Sequence, residues 1–367
     1  MKVGVLTFRW AYNYGALLQA YALRKTITAG GGDVEFINYV LAKHQQPLFR
    51  GIGLRSSIWK LPLVLRFEMF RRRYLPATRK VYNHEDLKPL SESYDAIVVG
   101  SDQVWSSRVH DGFFPAYFLD FVKGGKTRRI SYAACFGQRD QASEVMQKAG
   151  HLLTRFDRLS VRNKMSQDLV KQLSGMESCI VQDPTLLHEF DEFFPTREPI
   201  GDYILVYSLA SHQRTLGETI VKWLRENTRL PVVSVWPGLE FCGADRYARA
   251  VGPIQWLRLF KSASFICTDS FHGTAFAIKF KKPFASWAGA RPERLLDFLG
   301  CFGLGDRLVT EADSSSLANL VKPIDYVAVQ KRLQPKIDES RLFLYQALSG
   351  TDLARRPHDL CSHSIIQ

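Results

Sequence analysis

The chain has 367 residues, of which 46% are hydrophobic and 23% charged, and it carries a formal net charge of +13. That length favours two domains over a single core, and the charge favours anionic partners such as phosphorylated metabolites or lipid head groups. Nucleic acid is set aside because no RNP pattern, zinc finger or helix-turn-helix signature accompanies the charge, and no stretch approaches the roughly 20 apolar residues of a membrane span.

From the amino terminus, Val3–Thr7 reads as a buried strand, Asn13–Tyr14–Gly15 as a loop, 16–27 as a helix and Val34–Tyr39 as a second strand. This is a βαβ unit of the doubly wound type. It lacks G-x-G-x-x-G, so no dinucleotide site is indicated. Residues 50–80 carry nine Lys or Arg against one Glu, interleaved with Trp59, Leu63, Leu65, Phe67, Met69 and Phe70. Such a segment can lie on an anionic membrane, with weak, salt-sensitive binding. The reading preferred over this is a helical insertion that packs its apolar side on the body with its arginines solvated, and Pro62 argues against one continuous helix unless it sits near a start.

Alternation resumes with strands at 94–100 and 128–136, a helix near 142–156, a strand at 158–162, a helix at 165–173 and a strand at 179–181. A polar stretch, 189–202, reads as a linker. The second set has strands at 203–209, 231–236, 265–267 and 283–287. Its helices fall at 215–227, at 254–261, from Thr274 onward after Gly273, and at 294–299, and a long amphipathic helix follows at 325–348. The expected fold class is therefore α/β, with two Rossmann-like doubly wound domains at 1–195 and 200–325. A closing helix at 326–349 and a disordered tail at 350–367 complete the chain, and a cleft between the domains is expected.

The six cysteines (Cys135, Cys179, Cys242, Cys267, Cys301 and Cys361) are scattered without a C-x-x-C pair. They read as small buried hydrophobes in a reducing compartment, and no metal site is expected. The apolar run in MKVGVLTFRW is too short for a signal peptide. The expected location is the cytoplasm, with peripheral contact at the inner face of the membrane through residues 50–80.

Candidate chemistry follows the strands, because an open α/β sheet binds ligands at the carboxyl ends of its strands. Asn13 and Gly15 follow the first strand, and Asn13 serves equally as a helix cap. Ser101 and Asp102 follow the third, where Asp102 is a general base or an N-cap. Arg162 leaves a buried strand and either grips a carboxylate or phosphate bidentately or pairs with Asp157 or Asp183. In SFICTDSFHGTAFAIKF, a strand breaks at Thr268–Asp269–Ser270, and His272 sits in the turn before a helix start at Gly273 and Thr274. A helix amino terminus holds anions, and a histidine moves a proton near neutral pH. Asp269 could orient it. A serine-hydrolase reading fails for lack of a G-x-S-x-G elbow.

The blocks NYGALLQAYAL, YDAIVVGSDQVW, ISYAACFG, FDRLSVRNK, VQDPTLL, CTDSFHGTAFAIKFKKPF and RLLDFLGCFGLGDRLV run in order from about residue 3 to 309. Together they resemble the polysaccharide pyruvyl transferases. The resemblance implies a GT-B-like fold and transfer of pyruvate from phosphoenolpyruvate to hydroxyls of a sugar, free or lipid-linked, forming a ketal without a cofactor. It implies His272 and Asp102 as catalytic, with Arg162, Asn13, Gly15, Ser101, Ser270, Gly273 and Thr274 as substrate-binding residues. Many members have arginine where this chain has Ser270, and an N-x-G-D loop where it has Asn13–Tyr14–Gly15–Ala16. The missing cation would come from Arg9, His212, Arg291 or Arg294. Two other readings are a GT-B glycosyltransferase using a sugar nucleotide and a non-catalytic member of a polysaccharide assembly complex.

Overall fold

The computed structural model describes residues 1–40, 54–139, 143–194, 201–209, 214–235, 241, 243–288 and 292–351. The chain forms two units: one holds Met1–Pro47, Arg71–His188 and Pro335–Gln367, the other Leu48–Phe70 and Glu189–Gln334.

The first unit begins β1 (Lys2–Leu6), α1 (Tyr14–Ala29) and β2 (Asp33–Phe36). After α2 (Leu54–Tyr74) come α3 (Lys88–Ser91), β3 (Ala96–Val99), α4 (Ser107–His110), β4 (Arg128–Ser131) and α5 (Ser143–Leu153). Then β5 (Ser160–Val161), α6 (Lys164–Ser174), β6 (Cys179–Ile180) and α7 (Pro184–Leu187) complete the run. The strands are parallel in the order β2-β1-β3-β4, with β5-β6 as a second parallel pair. Single bridges from Ile130 to Arg158 and from Ala134 to Val161 join β4 and its extension to the β5 segment. All of β3 and the last four residues of β1 are buried. Burial on both faces is why these strands read as unbroken apolar runs.

The second unit contains β7 (Gly201–Tyr207), α8 (Arg214–Thr228), β8 (Val232–Val235), β9 (Arg246–Ala248), α9 (Pro253–Ser262) and β10 (Ala263–Thr268). It continues with α10 (Phe271–Lys279), β11 (Phe284–Trp287), α11 (Glu293–Gly300), β12 (Leu308–Val309), α12 (Ser314–Leu320) and the first part of α13 (Tyr326–Ser349). Its six strands are parallel in the order β12-β11-β10-β7-β8-β9. Ile204, Val206, Phe265, Cys267 and Trp287 form its core with Ile220 and Leu224 of α8.

Both sheets reverse direction of growth once, between β1 and β3 in the first unit and between β7 and β10 in the second. Loops leaving adjacent strands on opposite faces open a crevice there. These two points position everything that follows.

Several expectations change. Helix α2 is continuous with Pro62 inside it. A proline within a helix costs about 3 kcal/mol, and complete burial of Leu63 and Phe67 with near-complete burial of Phe70 offsets that cost. Strand β4 ends at Ser131 rather than Phe136, because Ala133 takes a left-handed φ of 52°. The short strands β9 and β12 were not foreseen, since two or three residues carry no readable period. Of the expected linker 189–202, Phe190 and Phe193 are buried around a short 3-10 turn, and residues 195–200 lie outside the described residues. So do 352–367 of the expected tail. Cys135 and Cys267 are buried free thiols, but Cys301 is exposed; Cys242 and Cys361 lie outside the described residues.

Candidate functional site

In the first unit, the turn after β3 meets the loop after β1. Thr7 Oγ1 donates to the Ser101 carbonyl at 3.0 Å, and Gln19 Nε2 donates to Thr7 Oγ1 at 2.9 Å. Asn13 caps α1, its side chain accepting from the Ala16 N–H at 3.0 Å, with Gly15 buried in the first turn. The cap that the sequence allowed is therefore the geometry Asn13 adopts. Arg71 is not a solvated charge: it is buried at the end of α2 and donates at 2.8 Å to the carbonyls of Arg9, Trp10 and Ala11. It fixes the loop that leads to Asn13.

Asp183 is the hub of this site. Its Oδ2 accepts from Ser101 Oγ at 2.8 Å and from Arg162 Nη1 at 3.0 Å. Its Oδ1 accepts from the Thr185 N–H and hydroxyl at 3.1 and 2.8 Å, capping α7. Arg162, its side chain only 3% exposed, reaches Asp102 Oδ1 at 3.7 Å through Nη2. Of the pairings the sequence offered, the one with Asp183 is present, while Asp157 accepts the Arg129 N–H. Cys135 lies in the same cluster, its sulfur accepting from the Gly137 N–H at 3.2 Å and the Ser166 hydroxyl at 3.6 Å. Tyr132 is buried beside Asp183, and both burial and that charge hold its phenol well above the ordinary range.

Asp102 itself sits at φ 93°, where a side-chain-bearing residue is strained. Such conformations cost on the order of 1–3 kcal/mol and persist where the surroundings impose them. Here the surroundings are the Asp102–Ala134 bridge, the Arg162 guanidinium and a 2.8 Å bond from the Gln103 N–H to Oδ1. Asp102 is not a helix N-cap: Ser106 caps the next helix, α4. The result is a carboxylate held at the sheet's switch point with 18% of its side chain exposed.

In the second unit, the turns after β7 and β10 are tied together. Thr268 Oγ1 donates to the Tyr207 carbonyl at 2.6 Å, and Asp269 accepts from Ser208 Oγ and from the Leu209 N–H, both at 2.7 Å. Burial, with the Asp269 charge, pushes the Tyr207 phenol up. Ser270 is the N-cap of α10, accepting from the Gly273 N–H at 3.3 Å. Thr274 donates its hydroxyl to the Ser270 carbonyl or shares it with Ser286 Oγ at 2.7 Å, pinning α10 to β11. A side chain at Gly273 would place its Cβ 2.3 Å from Thr268 Oγ1. The glycine is required by that close approach of helix to strand.

His272 stands in the first turn of α10 with 7% of its surface exposed. The Phe271 ring meets the imidazole edge-on at 5.4 Å, and the Arg294 guanidinium lies over Phe271 at 5.8 Å. Of the cations considered for the place of Ser270, Arg294 is thus beside the histidine turn. Arg9 bonds the Leu75 carbonyl and Asn38 in the first unit, and His212 and Arg291 lie outside the described residues. A separate 520 Å³ groove along α9, lined by Tyr203, Tyr247, Arg249, Gln255 and Arg258 among others, contains none of the residues singled out from sequence.

Sequence reasoning passed over Asp183 as a hub and the hydroxyls of Thr268 and Ser286. Asp183–Pro184–Thr185 did carry a signal, a cap residue followed by proline at the first helical position.

Among solved structures, the chain is similar to the UDP-GlcNAc 2-epimerase of Neisseria meningitidis bound to UDP-GlcNAc, with 11% identity, 96% of this chain and 100% of that chain covered, and a TM-score of 0.52. The corresponding Methanocaldococcus jannaschii enzyme with UDP-GlcNAc and UDP gives 15% identity, the same coverages and 0.52. HepE of Anabaena with UDP and glucose gives 12%, the same coverages and 0.53. At such identities the likeness is one of fold, two Rossmann-like units of the GT-B kind. No curated protein matches the sequence. The profile described as polysaccharide pyruvyl transferase matches residues 13–287, a span that takes in the switch-point residues of both units. The chain belongs to the polysaccharide pyruvyl transferase family.

Proposed function

We propose that the protein transfers pyruvate from phosphoenolpyruvate to hydroxyls of a sugar in polysaccharide or glycan-precursor synthesis, closing a ketal. The observation that carries this reading is His272 in the first turn of α10 at the second unit's switch point. There a proton donor stands beside a helix amino end, which favours an anion. His272 protonates C3 of the enol, leaving an oxocarbenium-like carbon at C2. A sugar hydroxyl adds to C2 and gives its proton to Asp102. The C2–O bond to phosphate then breaks, releasing inorganic phosphate, and a second hydroxyl adds to C2 to close the ketal, its proton returning to His272.

The first unit supplies the base. The Asp183–Arg162 pair holds the Asp102 carboxylate in its strained turn. We assign Arg162 to positioning Asp102 rather than to the donor's carboxylate, because its guanidinium is nearly sealed and faces two carboxylates already. Asn13 and Gly15 start α1, which follows β1 at that switch point. In the second unit, Ser270, Gly273 and Thr274 build the helix start that meets the donor's phosphate. Arg294 supplies the cation that Ser270 lacks, and no metal or cofactor takes part. Phosphoenolpyruvate as donor places the reaction in the cytoplasm.

Carbon-labelled phosphoenolpyruvate incubated with the protein and a panel of sugar acceptors tests the reading. Label appearing in an acid-labile sugar product, with equimolar phosphate release, is expected. Sugar transfer from a nucleotide donor with no movement of pyruvate label would replace it by the glycosyltransferase reading.

A further inference from the structure

Helix α2 has two apolar faces, and the fold uses only one. Leu63, Phe67 and Phe70 are buried. On the opposite side Leu61, Leu65 and Met69 are 55%, 53% and 68% exposed. These three recur every fourth residue, so they occupy about 80° of arc at 100° per residue. Arg72 falls within the same arc one turn further on, and Arg66 and Arg73 border it; all three are exposed. Glu68 is the single acidic residue of the helix. Arg66 also donates to the Ala250 carbonyl of the second unit, which ties the middle of the helix down. Singly exposed apolar residues are ordinary, but a line of them on one helix marks a contact surface.

We infer that this face of α2 lies on an anionic lipid surface. The pattern of an apolar stripe bordered by arginines matches an interfacial helix, whose side chains enter the headgroup boundary while cations meet anionic lipids. The surplus of positive charge, +13 over the chain, complements such a surface and opposes pairing with a second copy. No helix among the described residues is long and apolar enough to cross a membrane, so the contact is peripheral. Arg71, buried against the 9–11 carbonyls, takes no part in it. This inference does not depend on the pyruvyl-transfer reading.

Co-sedimentation of the full chain with vesicles tests it. The protein is expected to pellet with phosphatidylcholine–phosphatidylglycerol vesicles at low salt and not with phosphatidylcholine alone. Each cation near an anionic surface raises binding about fivefold, so Arg72→Glu with Arg73→Glu should lower binding at least about tenfold. Leu61→Ser, Leu65→Ser and Met69→Ser together should lower it at low and high salt alike, with the melting temperature unchanged because all three residues are exposed. No pelleting with anionic vesicles, or pelleting untouched by the triple substitution, overturns the inference. So does sedimentation velocity that shows a dimer converted to monomer by the triple substitution, which would assign the face to a second copy.

Discussion

The two switch points solve the same geometric problem with different chemistry. In the first unit the loops are joined by a buried ionic chain, Ser101–Asp183–Arg162–Asp102, and the strain of the turn falls on Asp102. In the second they are joined mainly by hydroxyls, with Thr268, Ser208, Ser270, Thr274 and Ser286 linking strand ends to the start of α10. A buried ionic chain fixes a carboxylate in one orientation. A hydroxyl lattice around a helix start, with Asp269 taken up by Ser208 and the Leu209 N–H, leaves a helix amino end that favours an anion. The contrast supports placing the base in the first unit and the donor's phosphate at the second.

The largest expected effect comes from breaking the ionic chain. Arg162→Met leaves Asp183 buried without its cation, and removing one partner of a buried pair costs about 3–5 kcal/mol. Chemical denaturation should show that loss, whereas Asp157→Asn, outside the chain, should leave the denaturation midpoint much closer to wild type. Next, His272→Gln should retain the melting temperature and lose about 10²–10⁴-fold in kcat, the range for acid catalysis. A turnover within threefold of wild type would remove it from the mechanism.

Asp102→Asn should slow turnover by a similar factor with the melting temperature retained, and a turnover within threefold of wild type would remove Asp102 from the mechanism. Gly273→Ala pushes a methyl into Thr268 Oγ1, an overpacking worth about 1–3 kcal/mol. Thr268→Ala in the same chain should recover part of it, which separates crowding from any loss of ligand contact. The smallest effect is Arg294→Gln, expected to raise KM for phosphoenolpyruvate about tenfold with kcat nearly unchanged, as the loss of one charge-assisted contact implies.

Much of this was legible in the sequence because parallel strands buried on both faces are written as short apolar runs. The turns after them are written as glycine, serine and aspartate. GSD and TDSFHG therefore fall in the turns after β3 and β10. Residue roles were less legible. Arg71 looked like its neighbours Arg72 and Arg73 until the fold placed three carbonyls around it. Thr274 and Gly273 looked like a phosphate cradle, and the fold shows them first packing α10 against β10 and β11.

By itself, then, the sequence determined the α/β class, the two successive sets of strands and the glycine-, serine- and aspartate-bearing turns that follow them, because these depend on local periodicity and short-range backbone preference. Only the tertiary structure decided which of two carboxylates Arg162 meets most closely, which side of α2 is buried and which cation stands near His272. Those choices join residues that lie tens to more than a hundred positions apart, as Ser101 joins Asp183 and Arg66 joins Ala250. No local pattern records such pairings. They are set by which strands become neighbours, and the parallel sheet order fixes that only once the chain has folded.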